Sequence, residues 1–458
     1  MSINPIITDS YKYSHFNMYP KDMIGMYSYI ESRGGMYPET LFFGMRNYLQ
    51  EYLSSPFTKA DLDYVDEIIT EHMPSIKFNR AGWNHILNKH GGHLPIRIRS
   101  VKEGTVVPTH NVLVTVESTD PMVPWVVGHV ETSLLRVWYP TTVATRSMFI
   151  KRTIEEAMRE TADGESMAGL PYMLHDFGMR GAPGQQAAGI SGAAHLINFV
   201  GTDNVDALMY LNKIYGRADY GRSIAATEHT VMTSYGRDHE IDAYINVIDT
   251  YGIPGAVVSI VGDSYDIFNV CDHILPQLKD KILNCGARIV LRPDSGDPVM
   301  ILPRILKSLE KTFGTTINSK GYKVLHPSIR VIWGDGINES SIMSMIDMLK
   351  HTQFSVENIV FGCGGYLLQG LTRDTNKFAM KTSSVNRNGI WVDVSKNPVT
   401  DFNKRSRSGR VTLYRNNEGV YHSSIVTGEP DELITTYENG EIMNLQTYNE
   451  VRSIVGGM

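Results

Sequence analysis

The stretch Arg222-Ser223-Ile224-Ala225-Ala226-Thr227-Glu228-His229, followed by Asp238-His239-Glu240, sets an acid beside a histidine just after a run of small residues. Imidazole titrates near pH ~6.5, so a histidine next to a carboxylate at the start of a helix can hold or pass a proton, or attack an electrophilic phosphorus atom. A lone Glu-His pair is more often surface decoration. Its surroundings give this one weight.

Downstream, short runs rich in Val and Ile each close on a polar, glycine-containing turn. Ala256-Val257-Val258-Ser259-Ile260-Val261 ends at Gly262-Asp263-Ser264, and Ile289-Val290-Leu291 at Arg292-Pro293-Asp294-Ser295-Gly296. Ile329-Arg330-Val331-Ile332 ends at Gly334-Asp335-Gly336, and Ile359-Val360-Phe361 at Gly362-Cys363-Gly364-Gly365. Upstream, Tyr172-Met173-Leu174-His175-Asp176-Phe177 and Ile197-Asn198-Phe199-Val200 read as earlier members. An amphipathic helical stretch follows each run, and the turns recur about every 30 to 40 residues, the length of one βα unit. Such a rhythm predicts a parallel sheet, either a barrel or doubly wound, with function at the C-terminal ends of its strands. Those ends carry Asp176, Asp203, Asp263, Arg292, Asp294, Arg330 and Asp335. Any one of them alone reads equally well as a turn-capping residue; together on one rim they predict a polar site. The glycines at 362–365 suit backbone amides approaching a phosphate, though such a run is also simply a turn. Arg373, Lys377, Lys381, Lys396 and the run Lys404-Arg405-Ser406-Arg407-Ser408-Gly409-Arg410 form a basic cluster, readable as a polyanion site or as a solvated loop.

These residues need a scaffold, and 458 residues suffice for two or three domains. Composition is that of an ordinary globular chain, 42% hydrophobic and 20% charged; the net charge of −6 argues against nucleic acid as the main partner. Apolar runs fall well short of the roughly 20 residues a membrane span requires. Met1-Ser2-Ile3-Asn4-Pro5 has no basic-then-apolar leader pattern, so a cytoplasmic location is expected. Cys271, Cys285 and Cys363 make neither a disulfide framework nor a CxxC pair. Met26 to Arg33 reads as a strand, 39–72 as helical, 94–118 as antiparallel β, 123–160 as helix broken at Pro140, and 411–458 as short strands with a closing tail. His85, His90 and His93 read as packed or surface residues beside Trp83, Ile86 and Leu94 rather than as metal ligands.

Eight motifs occur in a specific order: Thr8-Asp9-Ser10-Tyr11-Lys12, His175-Asp176-Phe177-Gly178-x-Arg180-Gly181, Gly201-Thr202-Asp203, Glu228-His229, Asp263-Ser264-Tyr265-Asp266, Arg292-Pro293-Asp294-Ser295-Gly296, Gly334-Asp335-Gly336 and Leu371-Thr372-Arg373-Asp374. In these the chain closely resembles the nicotinamide phosphoribosyltransferase family, from near its N-terminus to about residue 410. The resemblance implies an irregular parallel β/α barrel with a smaller, mainly antiparallel β domain built from both ends of the chain. The corresponding boundaries are 1–150, 151–380 and 381–458. It also implies a cytoplasmic homodimer with shared active sites, making nicotinamide mononucleotide and pyrophosphate from nicotinamide and phosphoribosyl pyrophosphate in NAD salvage.

Carried over by motif, Phe177 and the Tyr11 of a second copy would sandwich the pyridine ring. Asp203 would accept from its carboxamide, and Arg180, Ser223, Ser259 and Asp9 would complete the base site. Arg292, Asp294, Gly334 and Asp335 would line the ribose pocket, Gly364 and Gly365 would offer amides to the 5′-phosphate, and Arg33, Arg373, Lys381, Lys396 and Lys404 would surround the phosphates. Mg²⁺ is expected mainly through pyrophosphate and water, with few protein ligands. ATP is expected to phosphorylate His229, with Glu228 and Asp263 orienting it. The chain departs from the family pattern in a shorter turn after Arg33, and in Tyr366 for a glycine, Ala379 for a small hydroxyl and Trp333 for an amide. Nicotinate phosphoribosyltransferase is the sister reading. A catalytically silent binding protein on this fold predicts damage to the basic cluster or to His229, which is not seen; another barrel enzyme acting on a sugar phosphate leaves the paired aromatics unexplained.

Overall fold

The structure, a computed structural model, describes residues 4–217, 220–400 and 405–456. The chain divides into two units, 1–145 with 371–458, and 146–370.

In the first unit an antiparallel sheet runs in the order Ile390–Asp393, Phe378–Arg387, Met23–Ser32, Val112–Ser118, Ile96–Ser100, Ile434–Glu438, Glu441–Ile442. N-terminal and C-terminal segments thus interleave in one sheet. Alternation decides which face is covered: Ile96, Ile98 and Ser100 are buried while Arg97 and Arg99 are only partly so. The 39–72 stretch is not continuous helix. Glu39–Leu41 pairs as a strand with Val106–Pro108, and Gly44 at φ 94° turns the chain into the short helix Met45–Tyr48. A full helix forms only at Lys59–His72, where Thr58 and Asp61 make a capping box.

The helix Trp138–Thr161 runs without a break. Pro140 falls in its first turn, where the backbone amides have no intrahelical partner, so proline removes nothing.

The second unit holds a parallel sheet. Among the described residues its order is Gly201–Thr202, Leu174–Asp176, Ile359–Cys363, Ile329–Trp333, Arg288–Arg292, Val257–Val261, Ala225–Ala226. Its central strands are buried on both faces, Ile329–Trp333 entirely so, which explains why they read as continuous apolar runs. The two edges meet through a parallel bridge, with Thr202 N donating to Arg222 O (3.0 Å) and Arg222 N to Val200 O (2.7 Å). The sheet therefore closes on itself as an irregular barrel. Residues 197–200 form no strand; the strand is the following pair Gly201–Thr202. The small-residue stretch at 225–226 is itself a strand, Ala225–Ala226. No helix among the described residues is long and apolar enough to cross a membrane.

Candidate active site

Leu174–Asp176 ends in a turn that is held from inside. Asp176 is fully buried; its carboxylate accepts from Gly178 N (2.7 Å) and Asn204 Nδ2 (3.0 Å). Burial pushes its pKa up to about 6, against the lowering effect of those hydrogen bonds. Asp176 is thus a strut rather than a rim ligand. It presents Phe177, whose N–H donates to Cys363 O (2.9 Å). The Phe177 ring lies on the backbone of Gly362: a Cβ there would sit 2.1 Å from Cε2, so a residue with a side chain cannot occupy 362 while the ring stays. Gly334 lies under the same ring at 3.7 Å and close to Asp294 Oδ1 at 3.2 Å, measured from its would-be Cβ. Gly334 therefore adjoins both the aromatic platform and the acid expected at the ribose.

Asp203 follows on the next strand end. Its N–H donates to Asp176 O (3.0 Å), fixing it beside the platform's strand, and its Oδ1 accepts from Ser223 Oγ (2.5 Å). Both residues are exposed, and Oδ2 of Asp203 makes no hydrogen bond among the described residues. Arg180 stands exposed on the turn Met179–Gly181, with no hydrogen bond or ion pair among the described residues. Ser259 is buried in Val257–Val261, where its carbonyl accepts from Thr227 N (3.0 Å).

His229 opens the helix His229–Thr233, with Glu228 as its extended N-cap. Nδ1 lies 3.3 Å from Ser264 Oγ, while Nε2 faces Asp294 Oδ2 at 3.5 Å and Asp263 Oδ1 at 3.9 Å. Asp263 is anchored through Oδ2, which accepts from Asp294 N (3.0 Å) and Ser295 Oγ (2.5 Å). Its Oδ1 is buried with no hydrogen-bond partner, so a carboxylate oxygen is left facing the histidine. Glu228 is exposed and its carboxylate makes no hydrogen bond or ion pair among the described residues. Orientation of His229 falls to Ser264, with the two aspartates as its charged surroundings.

Arg292 Nη2 is 3.7 Å from Asp294 Oδ2, and Asp335 is exposed. Trp333, where an amide is expected, is buried and donates its indole N–H to Asp335 O (2.8 Å), pinning the Gly334-Asp335-Gly336 turn. Gly364 and Gly365 pack backbone to backbone on the Phe177 turn: a Cβ on Gly178 would meet Gly364 O at 2.9 Å, and one on Gly181 would meet Gly365 Cα at 2.9 Å. Arg330 does not belong to this rim. It is buried near the start of its strand, donating to Leu325 O, His326 O and Ile329 O, because a side chain at the N-terminal end of a parallel strand faces the opposite end of the barrel.

In the other unit, the register of Met23–Ser32 on Phe378–Arg387 sets Lys381 opposite Tyr29 and Ala379 opposite Glu31, while Arg33 N donates to Lys377 O (3.3 Å). Burial lowers the pKa of Lys381, and the charges of Arg33, Lys396 and Arg373 push it further down against the pull of Glu131. Arg33, Arg373 and Lys396 are thus near enough to Lys381 for their charges to act on it. Arg33 Nε is buried and without a partner. Lys404 lies outside the described residues. Asp9 Oδ2 accepts from Thr132 Oγ1 (2.5 Å), the Lys12 ammonium is buried on Glu131 (2.6 Å) and Gly128 O (2.8 Å), and between them Tyr11 is left 57% exposed. His85, His90 and Lys89 all direct nitrogen at Asp120 Oδ2, at 2.9, 2.6 and 2.8 Å, so the two imidazoles and the lysine share one buried carboxylate.

The model of the nicotinate phosphoribosyltransferase family matches residues 172–440, and that of the nicotinamide phosphoribosyltransferase N-terminal domain matches residues 4–98. A nicotinamide phosphoribosyltransferase of Xanthomonas campestris is 45% identical over 97% of this chain and 96% of its own length. The chain belongs to the nicotinamide/nicotinate phosphoribosyltransferase family. A relative of the same name from Acinetobacter baylyi is 30% identical over 98% of the chain and 96% of its own length. The fold is shared at 14% identity with a nicotinate-nucleotide pyrophosphorylase of Pyrococcus furiosus (TM-score 0.61, 99% and 95% of the two chains). It is shared at 13% with human nicotinic acid phosphoribosyltransferase (TM-score 0.57, 98% and 93%). As a member of this family the chain is an enzyme, a phosphoribosyltransferase. Sequence reasoning missed Ser264, which lies against the histidine, and Gly362, which makes room for the phenyl ring. A serine following Asp263 and a glycine closing an apolar run were visible.

Proposed function

We propose that this enzyme transfers the phosphoribosyl group of phosphoribosyl pyrophosphate to nicotinamide, giving nicotinamide mononucleotide and pyrophosphate in NAD biosynthesis. The observation that carries the reading is Asp203, an exposed acid held by Ser223 and hydrogen-bonded through its backbone to the strand that ends in Phe177. A carboxylate there accepts from a carboxamide NH₂ and repels the carboxylate of nicotinate. Phe177 offers one face to the pyridine ring, worth about 1 kcal/mol beyond area burial. The exposed Tyr11 of a second copy in a homodimer would take the other face.

The bond to be made joins the ring nitrogen to the anomeric carbon, and the bond broken joins that carbon to pyrophosphate oxygen. The sugar passes through a cation-like state, so holding both partners in place and neutralising the leaving group do most of the work. Asp294 and Asp335 suit the ribose hydroxyls and the backbone amides of Gly364 and Gly365 the 5′-phosphate; in the other unit, Arg33, Arg373, Lys381 and Lys396 are cations of the kind that phosphate charge needs. The unpartnered, buried Asp263 Oδ1 beside Asp294 is a donor set that fits Mg²⁺, which when bound neutralises charge on the departing pyrophosphate. ATP would phosphorylate His229: a bond forms from an imidazole nitrogen to the γ-phosphorus, the bond to the ADP oxygen breaks, and the carboxylates of Asp263 and Asp294 stabilise the charge developing on the ring.

Incubating the enzyme with phosphoribosyl pyrophosphate, Mg²⁺ and either base, with and without ATP, tests the proposal. Mononucleotide from nicotinamide, increased by ATP, is expected. No product from the amide sinks the reading, and preference for the acid would establish the sister activity instead.

A further inference from the structure

A charge is buried behind the phosphate loop. Arg146, on the helix Trp138–Thr161, has a side chain only 1% exposed. Its guanidinium donates to Tyr366 O (2.6 Å), Gly370 O (2.8 Å) and Glu339 Oε1 (3.1 Å), and lies over the Tyr366 ring at 4.3 Å. The Tyr366 hydroxyl bonds the same Glu339, which begins the helix Glu339–His351. The ring also covers Gly370, where a Cβ would meet Tyr366 Cδ2 at 2.5 Å. What these groups enclose is Gly365–Gln369, five residues that could not hold a helix on their own.

We infer that Arg146 is a positioning residue for phosphoribosyl pyrophosphate: acting through Tyr366 and Gly370, it fixes the backbone of Gly364 and Gly365 at the spacing the phosphate requires. The inference rests on the proposed role of those two glycines. The Tyr366 ring is the face on which the buried guanidinium rests. The phosphate loop is thereby held from behind by side chains, and from in front by its backbone contacts with Gly178 and Gly181. Phe177 is held through Asp176 and Cys363, by hydrogen bonds that involve neither Arg146 nor Tyr366, so loosening the loop from behind should reach the phosphates before it reaches the base.

The test is steady-state kinetics on Arg146→Gln, Tyr366→Leu, the double variant and Tyr366→Phe, each checked for an unchanged melting curve. Arg146→Gln and Tyr366→Leu should each raise KM for phosphoribosyl pyrophosphate about tenfold, with KM for nicotinamide within threefold. The double variant should be no worse than the poorer single one, because both act through one cluster. Tyr366→Phe, which keeps the ring, should stay within threefold of the parent. Should Arg146→Gln fail to fold, Tyr366→Leu, changing a partly exposed residue, carries the test. Gly364→Val separates this inference from the reading beneath it, since a Cβ at 364 meets no protein atom within 4 Å and would crowd only the ligand. If it raises KM for phosphoribosyl pyrophosphate while the Arg146 and Tyr366 variants do not, the positioning inference is overturned alone. If it too leaves KM unchanged, the phosphate-loop reading falls with it.

Discussion

On the proposed reading, substrate choice turns on Asp203, and its environment makes that choice testable. One carboxylate oxygen is held by Ser223 and the other makes no hydrogen bond among the described residues, so an amide donor gains an ionic acceptor while an acid meets repulsion. Asp203→Ser should lower the ratio of kcat/KM for nicotinamide over nicotinate by tenfold or more, about 1.4 kcal/mol of discrimination. An unchanged ratio would remove Asp203 from the base site. His229 is a different case. Its contacts are Ser264 and two aspartates, polar neighbours rather than the apolar ones a base-stacking group would have. His229→Ala is therefore expected to keep basal transferase activity and to lose stimulation by ATP; equal stimulation in variant and parent would refute the phosphohistidine role.

At the scale of elements, the strand Ile359–Cys363 does two things, ending in the Gly364-Gly365 turn and, at Gly362, carrying the Phe177 ring on its backbone. Gly362→Ala would put a methyl 2.1 Å from that ring and force it off the strand. The expected result is a tenfold or greater fall in kcat/KM for nicotinamide, with a smaller change in KM for phosphoribosyl pyrophosphate; parental kinetics for both substrates would show that the ring is not the platform. How much of this was legible follows from length and local pattern. Val257–Val261, Arg288–Arg292, Ile329–Trp333 and Ile359–Cys363 announced themselves because strands largely buried on both faces are short runs rich in Val and Ile ending at a turn. The strands Gly201–Thr202 and Ala225–Ala226 did not. Two residues have no period, and their place is set by a bridge from Gly201 to Arg222 and by pairing of Ala225 and Ala226 with Val258 and Ser259, partners far along the chain. Pro140 misled for a positional reason, since its cost depends on which turn of the helix it occupies. Most rim residues could be named from turn positions, but the inward aim of Asp176 and the placement of Arg330 at the far end could not, because each depends on the direction its strand runs.

Over the whole molecule, one buried group in each unit answers acid with a sign opposite to the other's. In the unit 1–145 with 371–458, His129 is buried against the rings of Tyr13, Trp83 and Trp125, and burial lowers its pKa to about 3. Between that value and the ordinary ~6.5 the unfolded chain binds a proton that the folded unit refuses, so stability falls as pH drops, by on the order of 4 kcal/mol across the full window. In the unit 146–370, burial raises Asp176 to about 6, so from about pH 4 to about pH 6 it is the folded state that holds the extra proton. There stability rises as pH drops, by roughly 3 kcal/mol. Acidifying from pH 7 to pH 4.5 should accordingly weaken the antiparallel unit relative to the barrel and spread a single unfolding transition into two. Hydrogen exchange at both pH values reads this directly: amides of Val112–Ser118 should lose protection relative to those of Val257–Val261. His129→Phe, which keeps an aromatic ring among aromatic neighbours and removes the titrating group, should abolish most of the loss. Equal loss in both strands, or an unaltered profile in the variant, would place the acid sensitivity elsewhere.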